Sequence, residues 1–236
     1  MPTYTLADTK KNQIPVTGKD PVDAIFSSPD ENKKYPAIVY MHGGAVRERS
    51  NPIYRPNGDF LFDINDKIKD MSLMGFVILA PLRNTTSGCC NGDDAVKEGI
   101  SIAKSSTKYL RSLPNVLKDK VCLLGFSEGA LISMWVMTES NDYSIAIIMS
   151  PSNQCGKRRA GSKNYCGKHL IQSGKLENIK KKILLTLGDS ESRGTINATK
   201  GFAEKLSQNI RILEGDHISF TVPREDINSI IKDHCS

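Results

Sequence analysis

Length, composition and charge place the chain among ordinary globular proteins. It has 236 residues, of which 39% are hydrophobic and 25% are charged, and its formal net charge is +6. These fractions exclude a disordered or collagen-like chain, and the 6 cysteines are too few for a small fold that disulfides hold together in place of a core. The longest apolar runs are too short to span a bilayer, and the first residues lack the apolar segment of a signal peptide.

The positive charge predicts no nucleic-acid partner. Its dense clusters are residues 157–159 and 180–182, and the aromatic residues, 6% of the chain, do not alternate with them. A single-strand binding surface combines basic side chains with aromatic ones on which bases stack. The second cluster directly precedes an apolar strand pattern, which is typical of a solvated loop.

Apolar patterning predicts an alternation of strands and helices. In chain order, the predicted elements are a strand over 22–27, a strand over 37–41, a helix over 60–74, a strand over 76–80, a helix over 93–113, a strand over 121–124, a helix over 130–137, strands over 145–149 and 183–187, a helix over 196–206, a strand over 210–213 and a helix over 225–232. This alternation indicates one α/β domain, residues 1–236, with a mostly parallel sheet between two helical layers.

One segment is too long for a simple connection. Residues 150–174 are rich in Gly, Ser, Asn, Lys and Arg and lie between two predicted strands. Ligands of parallel sheets bind at the carboxyl ends of the strands. Because this basic insertion leaves the carboxyl end of the strand at 145–149, we expect it to border the functional site.

A nucleophile motif follows the strand at 121–124. Residues 125–129 read Gly-Phe-Ser-Glu-Gly, which matches G-x-S-x-G, and an apolar helix pattern begins directly after them. A serine on so tight a strand-to-helix turn needs glycine on both sides, because a Cβ there would collide where strand and helix cross. We therefore interpret Ser127 as a nucleophile.

A glycine turn predicts the matching oxyanion site. His42, Gly43, Gly44 and Ala45 follow the strand at 37–41, and a glycine pair there lets backbone N–H groups face a developing oxyanion. The predicted donors are the N–H of Gly44 or Ala45 and the N–H of Glu128, directly after the nucleophile. His42 precedes the turn and is interpreted as structural.

A base and an acid follow later strands. Of the four histidines, only His217 lies after the last predicted strand beside a glycine turn, so we predict it as the base. Asp189 and Glu191 both follow the strand at 183–187, and either carboxylate could orient His217. The order Ser127, acid, His217 is the chain order of α/β-hydrolases.

Together these motifs resemble the α/β-hydrolase superfamily, and within it the dienelactone-hydrolase-like and small serine esterase branch. The resemblance extends over residues 22–231. It implies an α/β-hydrolase fold without a large cap domain and with no metal or organic cofactor. In this family the acid usually stands three residues after the strand-end glycine, here Gly188, and that spacing favours Glu191 over Asp189. Dienelactone hydrolases proper carry cysteine where this chain has Ser127.

The function expected from these residues is a serine carboxylesterase acting on short or polar small-molecule esters. The alternatives are a serine peptidase or a dienelactone-type hydrolase of the same fold, and a non-catalytic binding protein. Arg83 follows the strand at 76–80, and Arg47 and Arg49 follow the oxyanion turn, so each is a candidate partner for a substrate carboxylate. Surface or loop-fixing roles are the alternative for all three. The oligomeric state cannot be read from the sequence.

The cysteines predict one covalent link. Cys155 and Cys166 bracket the basic insertion, where a disulfide would stiffen it. Reduced thiols in a cytoplasmic enzyme are the alternative, and pairing would favour a periplasmic or secreted protein. Cys122 lies in a predicted buried strand and is interpreted as a core thiol.

Overall fold

The computed structural model describes residues 9–17, 19–30, 32–44, 47–48, 51–52, 64–83, 92–153 and 164–236. The strands of the central sheet are β1 (Lys10–Ile14), β2 (Val22–Ser27), β3 (Tyr35–Met41), β6 (Val77–Pro81), β7 (Val116–Phe126), β8 (Ala146–Met149), β9 (Ile183–Gly188) and β10 (Ile210–Leu213); β4 (Arg47–Glu48) and β5 (Asn51–Pro52) pair separately. The helices are α1 (Ile64–Leu73), α2 (Gly92–Ser112), α3 (Glu128–Glu139), α4 (Gly167–Gln172), α5 (Arg193–Leu206) and α6 (Glu225–Cys235).

The sheet has the mostly parallel character predicted from the sequence. Its strand order is β1-β2-β6-β3-β7-β8-β9-β10. β2 runs antiparallel to both of its neighbours, and the other neighbouring pairs are parallel. The carboxyl ends of β3, β7, β8, β9 and β10 therefore lie along one edge of the sheet, where the predicted functional motifs follow them.

Alternating side chains of the buried strands supply two apolar layers. On β3, Ala37, Val39 and Met41 pack into a core shared with α2, α3 and α5, whereas Ile38 and Tyr40 pack towards α1 and α6. This two-residue period explains why the strand reads as a continuous apolar run, since both faces are covered. Burial of a large apolar side chain contributes about 1.5–3 kcal/mol, so helices on both faces hold the site-bearing strands in place.

The structure differs from the predicted elements in several places. β1 is an additional edge strand, whose polar, exposed residues carry little apolar alternation. β7 begins at Val116 rather than at 121, because its exposed residues 118–120 precede the buried part. The end of the predicted insertion contains α4, whereas residues 154–163 of the insertion and residues 60–63 of the predicted helix at 60–74 lie outside the described residues.

The expectation for Cys122 is wrong. Cys122 forms a disulfide with Cys235, with a Cα–Cα distance of 5.8 Å. Cys122 lies on the face of β7 that α6 covers, and Cys235 is the last residue of α6, so packing of the helix brings the two together. A disulfide that closes so long a loop typically stabilises a protein by about 2–5 kcal/mol.

Cys166 is also disulfide-bonded. Cys155, its predicted partner, lies outside the described residues. Within the described part of the chain, no helix is both long enough and apolar enough to cross a membrane.

Candidate active site

Ser127 occupies a sharp turn between β7 and α3. Its backbone angles are φ 55° and ψ −115°, a region that L-residues rarely adopt. A Cβ on Gly125 would lie 2.7 Å from the Ala130 Cα, and one on Gly129 would lie 2.0 Å from the Met41 carbonyl oxygen. Both glycines are therefore required by close backbone approach, which confirms the steric prediction for this motif.

Ser127, His217 and Glu191 form a hydrogen-bonded triad. The Ser127 Oγ lies 2.9 Å from the His217 Nε2, and the His217 Nδ1 lies 2.8 Å and 3.0 Å from the two Glu191 carboxylate oxygens. A carboxylate only accepts, so Nδ1 carries the proton and Nε2 is left to accept from the Ser127 hydroxyl. The Glu191 side chain is 0% exposed and that of His217 is 40% exposed, so the acid is shielded while the base faces solvent.

Asp189 is not brought to His217. Its Oδ1 accepts hydrogen bonds from the Gly215 N–H at 3.0 Å and from the Ser190 hydroxyl at 2.9 Å. These bonds, the one from Gly215 foremost, hold the pKa of Asp189 below its usual range. Asp189 thus ties the loop that carries Glu191 to the loop that carries His217.

The two loops meet at a point that only glycine fits. A Cβ on Gly188 would lie 2.3 Å from the Gly215 carbonyl oxygen, and Gly215 itself has φ 115°. The Ser190 N–H also donates to that carbonyl at 3.1 Å. Backbone contacts therefore fix the separation between the acid and the base.

A buried lysine supports the histidine loop. Lys67 on α1 donates from Nζ to the Phe220 carbonyl at 2.8 Å, at the end of the 3₁₀ turn Ile218–Thr221 that follows His217. Burial lowers the pKa of Lys67 to about 8. The Phe126 ring lies 4.8 Å from the His217 ring and so limits its movement. No pattern in the sequence marks Lys67, because a lone lysine in a helical pattern is ordinarily solvated.

The glycine turn after β3 lies against the nucleophile. A Cβ on Gly43 would lie 3.3 Å from the Ser127 Cβ and 2.9 Å from the Phe126 ring. Gly44 follows it, and Glu128 is the first residue of α3, where the N–H has no carbonyl of its own helix to donate to. Ala45, the alternative donor, lies outside the described residues.

The substrate-binding expectation for Arg83 is wrong. Its side chain is 0% exposed and its Nη1 lies 2.6 Å from the Glu128 Oε1, while Nη2 donates to the His42 carbonyl. The guanidinium is therefore enclosed beneath the site rather than presented at its mouth. Arg47 lies in β4, whose side chains are outside the described part, and Arg49 is outside it altogether.

Known proteins share this fold and parts of this sequence. A family described as BAAT / acyl-CoA thioester hydrolase C terminal matches residues 103–216. The uncharacterized peptidase YtmA of Bacillus subtilis is 28% identical over 118 residues, which are 50% of this chain and 41% of that protein. An acylaminoacyl peptidase of Pyrococcus horikoshii has a TM-score of 0.67 and 15% identity, covering 98% of this chain and 42% of that one.

An esterase of Pyrococcus furiosus has a TM-score of 0.66 and 15% identity, and the match covers 98% of this chain and 94% of that one. The chain has the α/β-hydrolase fold. This confirms the fold that the motifs predicted. The match spans less than half of the length of the Bacillus peptidase and of the P. horikoshii peptidase.

A cavity of about 550 Å³ is lined by residues that neighbour the triad along the chain or in the fold, and none of Ser127, Glu191 and His217 is among the lining residues. Two of its lining residues connect it to the segments that carry the triad: the Ser152 N–H donates to the Ser127 carbonyl at 3.1 Å, and Ser192 directly follows Glu191. Its lining residues come from the end of β8, from α4 and from the start of α5: Ser152, Asn153, Lys168, Ile171, Gln172, Ser192, Gly194, Thr195, Asn197, Ala198 and Phe202. The volume is in the range of small-molecule sites.

His42 makes the stability of this protein sensitive to acid. The side chain is buried and its Nδ1 donates to the Gly43 carbonyl at 2.7 Å. Burial, and then the nearby Arg83 charge, lower the pKa of His42 to about 3. The unfolded chain binds a proton here near pH 6.5, so this contribution is present above pH 6.5 and is lost as the pH falls towards 3. We expect about 3 kcal/mol of the free energy of unfolding to be lost between pH 7 and pH 4 through this residue.

Urea unfolding at pH 7 and pH 4 measures this loss. His42→Asn retains a donor near the position of Nδ1 but cannot be protonated. Its free energy of unfolding should therefore fall between pH 7 and pH 4 by about 3 kcal/mol less than that of the wild type. His234→Asn, at an exposed position on α6, is the matched control and should keep the wild-type dependence. Equal losses in the wild type and in His42→Asn would contradict the assignment.

Proposed function

We propose that this α/β-hydrolase is a serine carboxylesterase that cleaves short or polar esters through a covalent acyl-enzyme. The observation that carries the proposal is the unbroken hydrogen-bond series from Ser127 through His217 to Glu191. A non-catalytic relative would have no need of a strained serine aligned with a base and a shielded acid. The same acyl-enzyme chemistry serves peptidases and thioester hydrolases, so the leaving group separates these activities.

The first half-reaction acylates Ser127. The Ser127 Oγ attacks the ester carbonyl carbon while its proton passes to the His217 Nε2, and the carbonyl electron pair moves onto oxygen. Glu191 stabilises the imidazolium through the Nδ1 hydrogen bond. The carbon–alkoxy bond then breaks, and His217 returns the proton to the leaving alcohol.

The second half-reaction frees the acid. Water attacks the acyl carbon as His217 takes one of its protons, and the Ser127 Oγ leaves with that proton as the hydroxyl is restored. In both halves the negative oxygen is stabilised by the N–H groups of Glu128 and of Gly44 or Ala45. One such donor is typically worth about 3 kcal/mol of barrier.

The lining of the 550 Å³ cavity favours short or polar acyl groups. Its floor is formed by the apolar side chains of Ile171, Ala198 and Phe202, whereas Asn153 and the exposed Lys168 lie at the rim. Long acyl chains would extend past this polar rim into water. A short acyl chain, or one that ends in a polar or anionic group, uses both parts of the cavity.

A fluorophosphonate probe tests the proposed nucleophile. We expect the probe to label the wild type and the label to map to Ser127 by mass spectrometry, with none on Ser127→Ala. Ser112→Ala, at an exposed position at the end of α2, is the control and should label normally. A panel of p-nitrophenyl esters, acyl-peptide anilides and acyl-CoA thioesters assigns the leaving group. If the probe labels Ser127 but the protein hydrolyses only the anilides or only the thioesters, it is a peptidase or a thioester hydrolase rather than an esterase.

A further inference from the structure

We propose that Arg83 is a positioning residue that fixes the geometry of the oxyanion site. Its guanidinium joins Glu128, directly after the nucleophile, to the backbone of the glycine turn after β3. These are the two segments that would supply the oxyanion donors, so the inference rests on the proposed acyl-transfer function. Arg83 touches no substrate atom in this role.

The position of Arg83 in the sheet allows this bridge. Arg83 stands two residues after β6, which neighbours β3, and β3 in turn neighbours β7. The side chain therefore reaches past the end of β3 to the start of α3. One arm of the fork, Nη1, binds the Glu128 carboxylate at 2.6 Å, and the other, Nη2, donates to the His42 carbonyl.

Burial makes the bridge selective for arginine. The Arg83 and Glu128 side chains are 0% and 2% exposed, and removal of such charges from water costs free energy that an ion pair only offsets with good geometry. A planar fork with separate donors holds two acceptors at a set distance, whereas the lysine ammonium is a single point of charge. A contribution to stability therefore does not explain the Arg83–Glu128 pair well. The distance that it sets between the start of α3 and the glycine turn after β3 explains it better.

Charge gives the bridge a second effect. Negative charge develops on the substrate oxygen beside Ser127 in the transition state, and Glu128 is the next residue along the chain. The positive charge of Arg83 compensates the negative charge of the Glu128 carboxylate, so that Glu128 does not repel the negative charge that develops on the substrate oxygen. Both effects act on the transition state rather than on the bound ester, so they should change kcat and leave KM nearly constant.

Arg83→Lys is the variant that tests the bridge, because it keeps the charge and loses the fork. We expect kcat for a short p-nitrophenyl ester to fall about 10- to 100-fold, less than or equal to the loss of a whole oxyanion donor, with KM within about threefold. The affinity for a trifluoromethyl ketone, which forms a tetrahedral adduct on Ser127, should fall by a similar factor. Arg111→Lys, in the exposed ion pair with Asp142, is the control and should change neither value.

The outcomes separate the bridge from the proposed function. If the wild type neither hydrolyses esters nor labels at Ser127, both proposals fail. If the wild type is active and folded Arg83→Lys keeps a kcat within twofold, or changes only KM, the bridge alone is wrong. Should Arg83→Lys not fold, the double variant Arg83→Met/Glu128→Met removes both buried charges together, and a wild-type kcat in it would equally overturn the bridge.

Discussion

Ser127→Ala should lower kcat/KM for a short p-nitrophenyl ester by about 10⁴-fold or more. The alanine has no oxygen to form the acyl-enzyme, so only direct attack by water remains, helped by the oxyanion donors and the cavity. In related serine enzymes, removal of the nucleophile costs on the order of 10⁶ in kcat, and the rest of the site retains about 10³ over water. The Ser127 backbone strain is set by the crossing of β7, α3 and β3, so the variant should keep the fold.

His217→Ala should show a loss of the same order, because the serine hydroxyl is a weak nucleophile without a base. The double variant Ser127→Ala/His217→Ala should be little worse than either single variant, since the two residues act in one step. Ser112→Ala serves as the matched control, with kcat and KM unchanged. If the two losses in kcat/KM multiply in the double variant, or if Ser127→Ala keeps more than a tenth of the wild-type kcat/KM, then Ser127 and His217 do not act together in one step.

The central sheet and the nucleophile turn could be predicted because their physical causes are local. Ala37 to Met41 form an apolar run since helices cover both faces, and the pair Gly125 and Gly129 is required by contacts within one turn. Such constraints leave a pattern in adjacent residues. The order of Ser127, an acid and His217 along the chain follows from the same sheet, because they stand after the ends of β7, β9 and β10 in turn.

Features that depend on contacts between distant segments were not predictable. The roles of Arg83 and Cys122 are set by Glu128 and Cys235, which lie 45 and 113 positions along the chain. A charged residue after a strand ordinarily faces water, and a lone buried cysteine ordinarily stays a thiol. Only the packing of α3 and α6 on the sheet reverses those expectations.

The two acidic residues after β9 were only partly predictable, because their position is a local feature whereas their partners are distant along the chain. The sequence placed Asp189 and Glu191 at the same strand end, and the spacing of a family motif was needed to favour one. In the structure the loop turns between them, so that Glu191 is buried against His217 whereas Asp189 is exposed and binds the Gly215 backbone. Although the two residues are only two positions apart, Glu191 orients His217 whereas Asp189 supports the loop.

Glu191→Gln should therefore lower kcat by about 10²- to 10⁴-fold with little change in KM. Glutamine is nearly isosteric but cannot stabilise the imidazolium, and its amide can donate to Nδ1 and hold the histidine in the wrong tautomer, an effect that costs about 10⁴ in a serine protease. Asp189→Asn is the matched control, because asparagine still offers an oxygen to the Gly215 N–H. Its kcat should stay within about threefold of the wild type, with a small loss of unfolding free energy from the weaker acceptor.

Steady-state kinetics of both variants on one short ester, together with urea unfolding, separates the two roles. Glu191→Gln should remain as stable as the wild type to within about 2 kcal/mol while losing activity, because a neutral amide in place of a buried carboxylate removes a charge that burial disfavours. Asp189→Asn should instead keep its activity and show only a small loss of stability. A larger kcat loss in Asp189→Asn than in Glu191→Gln would mean that the loops rearrange on substrate binding and that the acid beside His217 in this structure is not the one that acts in the transition state.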